Sequence, residues 1–288
     1  MRHPPIAPTL RRLLGVAVAS AALLLAGCAT TTEGGVPINT EHTAKGQDSR
    51  VLFLILHYTV ADFPTSMKIL TQQEVSAHYL LSDESPPVIY RLVDENRRAW
   101  HSGASAWADN ARLNSSSIGI EIVHPGFKPG TEASREYLPF PKAQIDALIP
   151  LVKDIVARHQ IKPERILGHG EVSAQYKEDP GPTFPWKRLA ELGITPPWPD
   201  ALRVAAQRAL YEGAVPDAAW FQKALASHGY AIQPSGVWDA QSRRVLMNFQ
   251  IRYRPSDYRG EPDAESAAIL WVLTTPPQAL LASGALKP

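Results

Sequence analysis

The segment Val51-Leu52-Phe53-Leu54-Ile55-Leu56-His57 carries the strongest structural signal in this sequence. Its six apolar residues follow one another without a polar interruption. A strand covered on both faces has this composition, whereas a half-exposed strand alternates apolar and polar residues. The segment therefore predicts a buried central strand that leads directly into a histidine.

Further elements are predicted downstream of this strand. Short apolar runs predict strands over residues 77–81, 88–93, 117–123 and 165–168, and composition predicts a helix over residues 67–75. Residues 143–159 place apolar side chains at helical spacing, with Pro150 expected to bend or restart that helix. Strands alternating with helices predict an α/β fold with a mixed central sheet flanked by helices.

A Pro-rich linker divides the sequence near Trp198. Residues 195–200 read Thr-Pro-Pro-Trp-Pro-Asp, and helices are predicted beyond them over residues 218–229, 239–253 and 263–273. We therefore expect one domain over residues 50–195 and a smaller, three-helix domain over residues 201–275.

The N-terminus has the pattern of an export signal. Arg2, Arg11 and Arg12 precede a short apolar run over residues 13–25, too short to cross a bilayer comfortably since about 20 residues are needed. Cys28, in Leu-Ala-Gly-Cys, stands where a bacterial lipobox places the lipidated residue, and the following Ala29 favours the outer membrane. We expect a signal peptide over residues 1–28, lipidated Cys28, a flexible tether over residues 29–49, and a periplasm-facing outer-membrane lipoprotein.

Composition excludes some partners. The 288 residues carry a formal net charge of +1, so no basic excess predicts a nucleic-acid partner. Cys28 is the only cysteine, which leaves none for a disulfide.

Two histidines stand where predicted strands end. His57 follows the first strand and His169 follows residues 165–168, and sites in α/β sheets form just past such ends. Asp179 begins the rigid turn Asp-Pro-Gly-Pro. Either histidine alone is more simply a structural residue. Two imidazoles and one carboxylate together predict a catalytic zinc site with one position left for water.

Other polar residues are candidates for the chemistry. Glu121 lies in an apolar strand, where a carboxylate is costly unless it is paired or functional, and a glutamate near activated water can transfer protons. Lys177 lies two residues before Asp179 and has the charge to stabilise an oxyanion, although a surface lysine is the simpler interpretation. Trp100 and His101 read as a loop lining a cleft, and His78 reads as structural.

Several short motifs together resemble the type-2 N-acetylmuramoyl-L-alanine amidases, and within them the AmiD-like outer-membrane lipoprotein amidases. The motifs span about residues 50–195 and are Leu56-His57-Tyr58-Thr59, Ser76-Ala77-His78-Tyr79, Ala99-Trp100-His101, Asn114-Ser115-Ser116-Ser117-Ile118-Gly119-Ile120-Glu121, Gly168-His169 and Lys177-Glu178-Asp179-Pro180-Gly181-Pro182.

The resemblance implies roles for matched positions. It implies that His57, His169 and Asp179 hold one Zn²⁺, that Glu121 is the catalytic acid and base, and that Lys177 steadies the transition state. It implies a fold shared with peptidoglycan recognition proteins. The implied reaction cuts the amide between N-acetylmuramic acid and L-alanine in peptidoglycan or muropeptides, in cell-wall turnover or recycling. Trp100, His101 and Asn114 are expected to bind substrate.

The C-terminal region resembles the three-helix peptidoglycan-binding module only in part, so a helical cap on the amidase domain is an alternative. Two other functions stay open for the whole chain. A recognition protein of this fold binds peptidoglycan without cutting it, but usually lacks one metal ligand. A zinc deacetylase acting on sugar N-acetyl groups would release acetate.

Overall fold

The computed structural model describes residues 30–129 and 135–275. The expected signal peptide and Cys28 lie outside these residues. Over the described part of the chain, no helix is both long and apolar enough to cross a membrane.

The elements follow one another in a mixed order. The strands are β1 (Thr30–Thr31), β2 (Pro37–Ile38), β3 (Phe53–Tyr58), β4 (Tyr79–Leu81), β5 (Ile89–Arg91), β6 (Ala106–Trp107), β7 (Asn110–Ala111), β8 (Ser117–Ile122) and β9 (Ile166–Gly168). The α-helices are α1 (Phe63–Gln72), α2 (Lys142–His159), α3 (His169–Val172), α4 (Trp186–Glu191), α5 (Ala201–Tyr211), α6 (Ala218–His228), α7 (Ala240–Tyr253) and α8 (Ala264–Thr274).

Five strands form the main sheet in the order β5-β4-β8-β3-β9. Strand β3 pairs in parallel with β8 and β9, β8 also pairs in parallel with β4, and only β5 runs antiparallel to its neighbour. The sheet is therefore mixed, and the predicted α/β fold is confirmed.

Alternate residues of β3 face two separate hydrophobic layers. Leu54 and Leu56 pack with the apolar face of α2 on one side of the sheet. Phe53 and Ile55 pack on the other side with apolar residues of α6, α7 and α8, such as Phe249. All four β3 side chains are fully buried because helices cover both faces, which explains the uninterrupted apolar run.

Three of the helices differ from what the sequence predicts. Helix α1 begins at Phe63, earlier than predicted, because Asp62 caps it by accepting the Thr65 N–H at 2.9 Å. Helix α2 does not restart at Pro150 but continues through it from Lys142 to His159. Helix α5 was not predicted, because it has no buried residues and exposes Leu202 and Leu210.

Residues 30–38, within the expected tether, contain a short antiparallel ladder. Thr30 pairs with Ile38 and Thr31 with Pro37. Gly35 adopts a positive φ of 78° in the connecting turn, a conformation that glycine adopts without steric cost.

Candidate functional site

The sheet register brings the predicted site residues to one edge. His57 of β3 lies directly opposite Glu121 of β8. Strand β9, on the other side of β3, ends at Gly168, and His169 is the first residue of α3. The loop after α3 returns Asp179 to the same place. Carboxyl ends of adjacent parallel strands thus gather these side chains.

Three donor atoms converge in a buried cluster. Asp179 Oδ2 lies 3.1 Å from His57 Nδ1 and 3.2 Å from His169 Nδ1, and the two Nδ1 atoms are 3.0 Å apart. Ligands held about 2.0–2.1 Å from a tetrahedral zinc ion lie about 3.3 Å from each other. The separations and the donor types both fit a single bound cation, so these residues form a candidate metal-binding triad.

A chain of hydrogen bonds fixes the tautomer of His57. Ser117 Oγ donates to the carbonyl of Leu113 at 2.6 Å, which leaves its oxygen free to accept from His101 Nε2 at 3.1 Å. With its proton on Nε2, His101 accepts at Nδ1 from His57 Nε2, 3.0 Å away. The lone pair of His57 therefore lies on Nδ1, the atom that faces Asp179 and His169.

Gly119 creates the space for this chain. A Cβ at position 119 would lie 2.4 Å from Cγ of the His101 ring, so any larger residue would displace that ring. Neither Ser117 nor Gly119 has a role predicted from the sequence. An isolated glycine inside an apolar strand was the available signal, because such a glycine often marks the close approach of another group.

Burial and neighbouring charge set the protonation states of two triad members. Burial and the adjacent His169 lower the pKa of His57 to about 4, so its imidazole is neutral. Burial disfavours the charged form of Asp179, but the two histidines outweigh it and hold its pKa below the usual value. Neutral imidazoles and an ionised carboxylate are the forms that bind metal ions.

Glu121 stands beside the triad without belonging to it. Its Oε1 atom lies 4.0 Å from His57 Nδ1, and Oε2 is buried with no hydrogen-bond partner among the described residues. Burial, together with the negative charge of Asp179, raises the pKa of Glu121 to about 8, although Lys177 opposes the shift. A carboxyl group with a pKa near the working pH is suited to accept and return a proton.

The cluster opens into a cleft of about 540 Å³. Lys177, Tyr176 and Trp100 line it, and all three side chains are exposed. Arg244 of α7 also lines the cleft, so the C-terminal helices contribute to its wall. The volume falls in the range of pockets that bind small molecules.

The remaining predicted residues lie in different surroundings. His101 is buried beneath the triad, although it also contributes to the cleft wall. Asn114 is absent from the described residues that line the cleft. Its Oδ1 accepts the backbone N–H groups of His101 and Ser102 at 3.0 and 2.7 Å, so it shapes their loop. His78 bonds the Gly119 N–H and the Arg97 carbonyl, a structural arrangement.

A family model and a curated relative both match this chain to N-acetylmuramoyl-L-alanine amidases. A family model described as N-acetylmuramoyl-L-alanine amidase matches residues 47–182. The chain is 44% identical to the N-acetylmuramoyl-L-alanine amidase AmiD of Escherichia coli over 260 residues, which cover 87% of this chain and 93% of AmiD.

Solved structures agree with this match. The complex of E. coli AmiD with anhydro-N-acetylmuramic acid-L-Ala-D-gamma-Glu-L-Lys superposes with a TM-score of 0.75 at 41% identity, covering 85% of this chain and 96% of that one. AmpDh3 of Pseudomonas aeruginosa, in complex with anhydromuramic pentapeptide, superposes with a TM-score of 0.74 at 37% identity, covering 81% and 95%.

The family model spans residues 57, 121, 169 and 179, and the AmiD structure matches a larger share of the chain, 85%. Both the sequence identity and the shared length exceed what a common fold alone requires. The chain belongs to the N-acetylmuramoyl-L-alanine amidase family.

Proposed function

We propose that this protein is a zinc-dependent N-acetylmuramoyl-L-alanine amidase that hydrolyses the amide between N-acetylmuramic acid and L-alanine in peptidoglycan or its fragments. The observation that carries the proposal is the buried triad of His57, His169 and Asp179 with Glu121 beside it, whose Oε2 atom has no hydrogen-bond partner in the described part of the chain. Such a complete donor set favours an enzyme over a protein that only recognises peptidoglycan.

Zinc fits the triad better than calcium or magnesium does. Imidazole nitrogens suit zinc and other transition metals, whereas the harder cations take oxygen ligands almost exclusively. A zinc ion held by His57, His169 and Asp179 would supply Lewis acidity, which polarises carbonyl oxygens and acidifies water.

The chain's own residues supply the proton transfers and the charge stabilisation. Glu121 takes a proton from the attacking water while the water oxygen forms a bond to the lactyl carbonyl carbon. Lys177, on the cleft wall, stabilises the negative charge that develops on the carbonyl oxygen. Glu121 then gives the proton to the L-alanine nitrogen as the carbon–nitrogen bond breaks, which leaves a lactyl carboxyl group and the free amino group of L-alanine, between which the remaining proton is exchanged with solvent.

The shape of the cleft supports a muropeptide substrate. The two solved relatives described above hold anhydromuramyl peptides. The exposed ring of Trp100 and the exposed side chain of Tyr176 flank a cleft of about 540 Å³, where they offer apolar contacts to a sugar or stem peptide. We include Trp100 among the substrate-contacting residues on this basis, and His101 because its buried ring still reaches the cleft wall.

We further propose the organisation expected from the sequence: a signal peptide ending at lipidated Cys28, a tether, a catalytic region over residues 50–195 and a peptidoglycan-binding-like helical region over residues 201–275. The support for lipidation is the lipobox pattern that ends at Cys28.

Replacing Cys28 with alanine should abolish incorporation of radiolabelled palmitate and release the protein from outer-membrane fractions. Retention of Cys28→Ala protein in those fractions would contradict lipid anchoring.

Metal analysis tests the proposed cofactor. Purified protein should contain one zinc per chain, lose muropeptide cleavage in a chelator, and regain it on adding zinc. Metal-free protein that binds peptidoglycan without cutting it would instead support a recognition function, and release of acetate would support a deacetylase.

A further inference from the structure

Two buried polar residues of helix α7 face the segment that carries two of the three triad residues. Asn248 and Arg252 are four positions apart, so they lie on the same face of the helix. Both side chains are buried, and they bond to residues that lie between His169 and Asp179: Arg252 to Glu171, and Asn248 to the carbonyls of Ala174 and Lys177. Neither residue has a role in the proposed proton transfers.

Arg252 reaches the backbone immediately before His169 through one carboxylate. Its Nη1 atom donates to Glu171 Oε2 at 2.6 Å, and each side chain is 4% exposed. The same Glu171 oxygen accepts the Gly168 N–H at 2.8 Å. The guanidinium carbon also lies 4.1 Å from the centre of the Trp186 ring, which further limits its movement.

Asn248 holds the other end of the same segment. Its Nδ2 atom donates to the carbonyls of Ala174 and Lys177 at 3.2 and 3.1 Å. Gly170 packs so closely that a Cβ there would lie 2.1 Å from Asn248 Oδ1. Helix α7 therefore fixes the backbone just before His169 and again two residues before Asp179.

The Arg252–Glu171 pair is poorly arranged for stability alone. Glu171 Oε1 and Arg252 Nε are both buried without hydrogen-bond partners among the described residues. Removing two charges from water is expensive, and an incompletely bonded buried pair recovers little of that cost. Its position suits it instead to define the geometry of the adjoining segment.

We propose that Arg252 and Asn248 are positioning residues for the metal centre: they hold residues 168–179 so that His169 and Asp179 meet His57. The C-terminal helices are then a necessary part of the active site, in addition to any contact with glycan. This inference rests on the proposed zinc function.

Zinc affinity of the full-length protein, measured by competition with a chromophoric chelator, tests the inference. Arg252→Met and Asn248→Leu should each weaken zinc binding by about tenfold, the lower end of the loss seen when an outer hydrogen-bond partner of a metal site is removed. Arg252→Lys keeps the charge next to Glu171 and should recover part of the affinity.

Arg254→Met is the matched control. Arg254 lies two positions after Arg252, directly after the last residue of α7, and is also buried. It forms ion pairs with Asp257 and Asp263, away from the triad. This variant should lose thermal stability and keep wild-type zinc affinity. A double variant, Arg252→Met with Glu171→Leu, replaces the pair by apolar residues and should regain stability without regaining zinc affinity.

The inference is overturned if Arg252→Met and Asn248→Leu bind zinc as tightly as the wild type, or lose no more affinity than Arg254→Met. It is also overturned if the double variant recovers full zinc affinity together with stability. Absence of zinc binding by the wild type would count against the proposed function itself, which keeps the two failures distinct.

Discussion

Glu121 is the residue on which the proton transfers depend. Replacing it with glutamine preserves its volume and removes the carboxylate, so muropeptide turnover should fall about 100- to 10,000-fold. Zinc content should stay at the wild-type level because Glu121 is outside the triad. Product formation and metal content should therefore be measured on the same preparation of the variant. A Glu121→Gln variant with wild-type turnover would exclude this residue as the acid and base.

His101 links strand β8 to the lone pair of His57. In His101→Phe the Nε2–H of His57 loses its acceptor, so zinc affinity should fall by about 10- to 100-fold. His124→Phe is a suitable control, since His124 is also buried but stacks on Phe140 and bonds the Pro139 carbonyl. Equal zinc affinities for the two variants, measured by chelator competition, would contradict the assigned hydrogen-bond chain.

At the scale of elements, helix α6 ends in a histidine that is held neutral. His228 contacts the rings of Trp107, Tyr230, Phe249 and Tyr253. This partial burial among aromatic rings, with a smaller effect of the Arg252 charge, lowers the pKa of His228 from 6.5 to about 3. Between these two pH values the unfolded chain binds a proton at this position and the folded chain does not.

Stability should therefore depend on pH through His228. As the pH falls from 6.5 towards 3, its contribution to the free energy of unfolding should decrease by at most about 1.4 kcal/mol per pH unit, the limit for one proton. His228→Gln cannot titrate, so its denaturant-measured stability should decline less steeply over this range. Wild-type and variant curves that run parallel would show that His228 is not held neutral by the fold.

The elements also show what local sequence can and cannot predict. The β3 segment was recognisable because six consecutive apolar residues require cover on both faces. Helix α5 was not recognisable, because none of its residues is fully buried and Leu202 and Leu210 are exposed. The early start of α1 could have been read from Asp62 followed by Pro64, which is a typical N-terminal signal.

For the whole molecule, the two histidines of the triad could be proposed from strand ends and Asp179 from its Pro-Gly turn, but their arrangement could not. The register that places His57 opposite Glu121 depends on pairing between strands more than 50 positions apart, which single-sequence patterns do not encode. The contacts of Asn114 with the loop at His101, and of α7 with residues 168–179, are likewise long-range. The substrate-binding role of Asn114 stays a prediction.

The central claim concerns which bond the intact protein cuts. The direct measurement is mass analysis of products after incubating zinc-loaded protein with anhydromuramyl peptide in ¹⁸O-labelled water. We predict a free stem peptide beginning with L-alanine and an anhydromuramic acid that carries ¹⁸O in its lactyl carboxylate, both absent in chelator. Released acetate, label in the peptide fragment, or cleavage undiminished by the chelator would contradict the account.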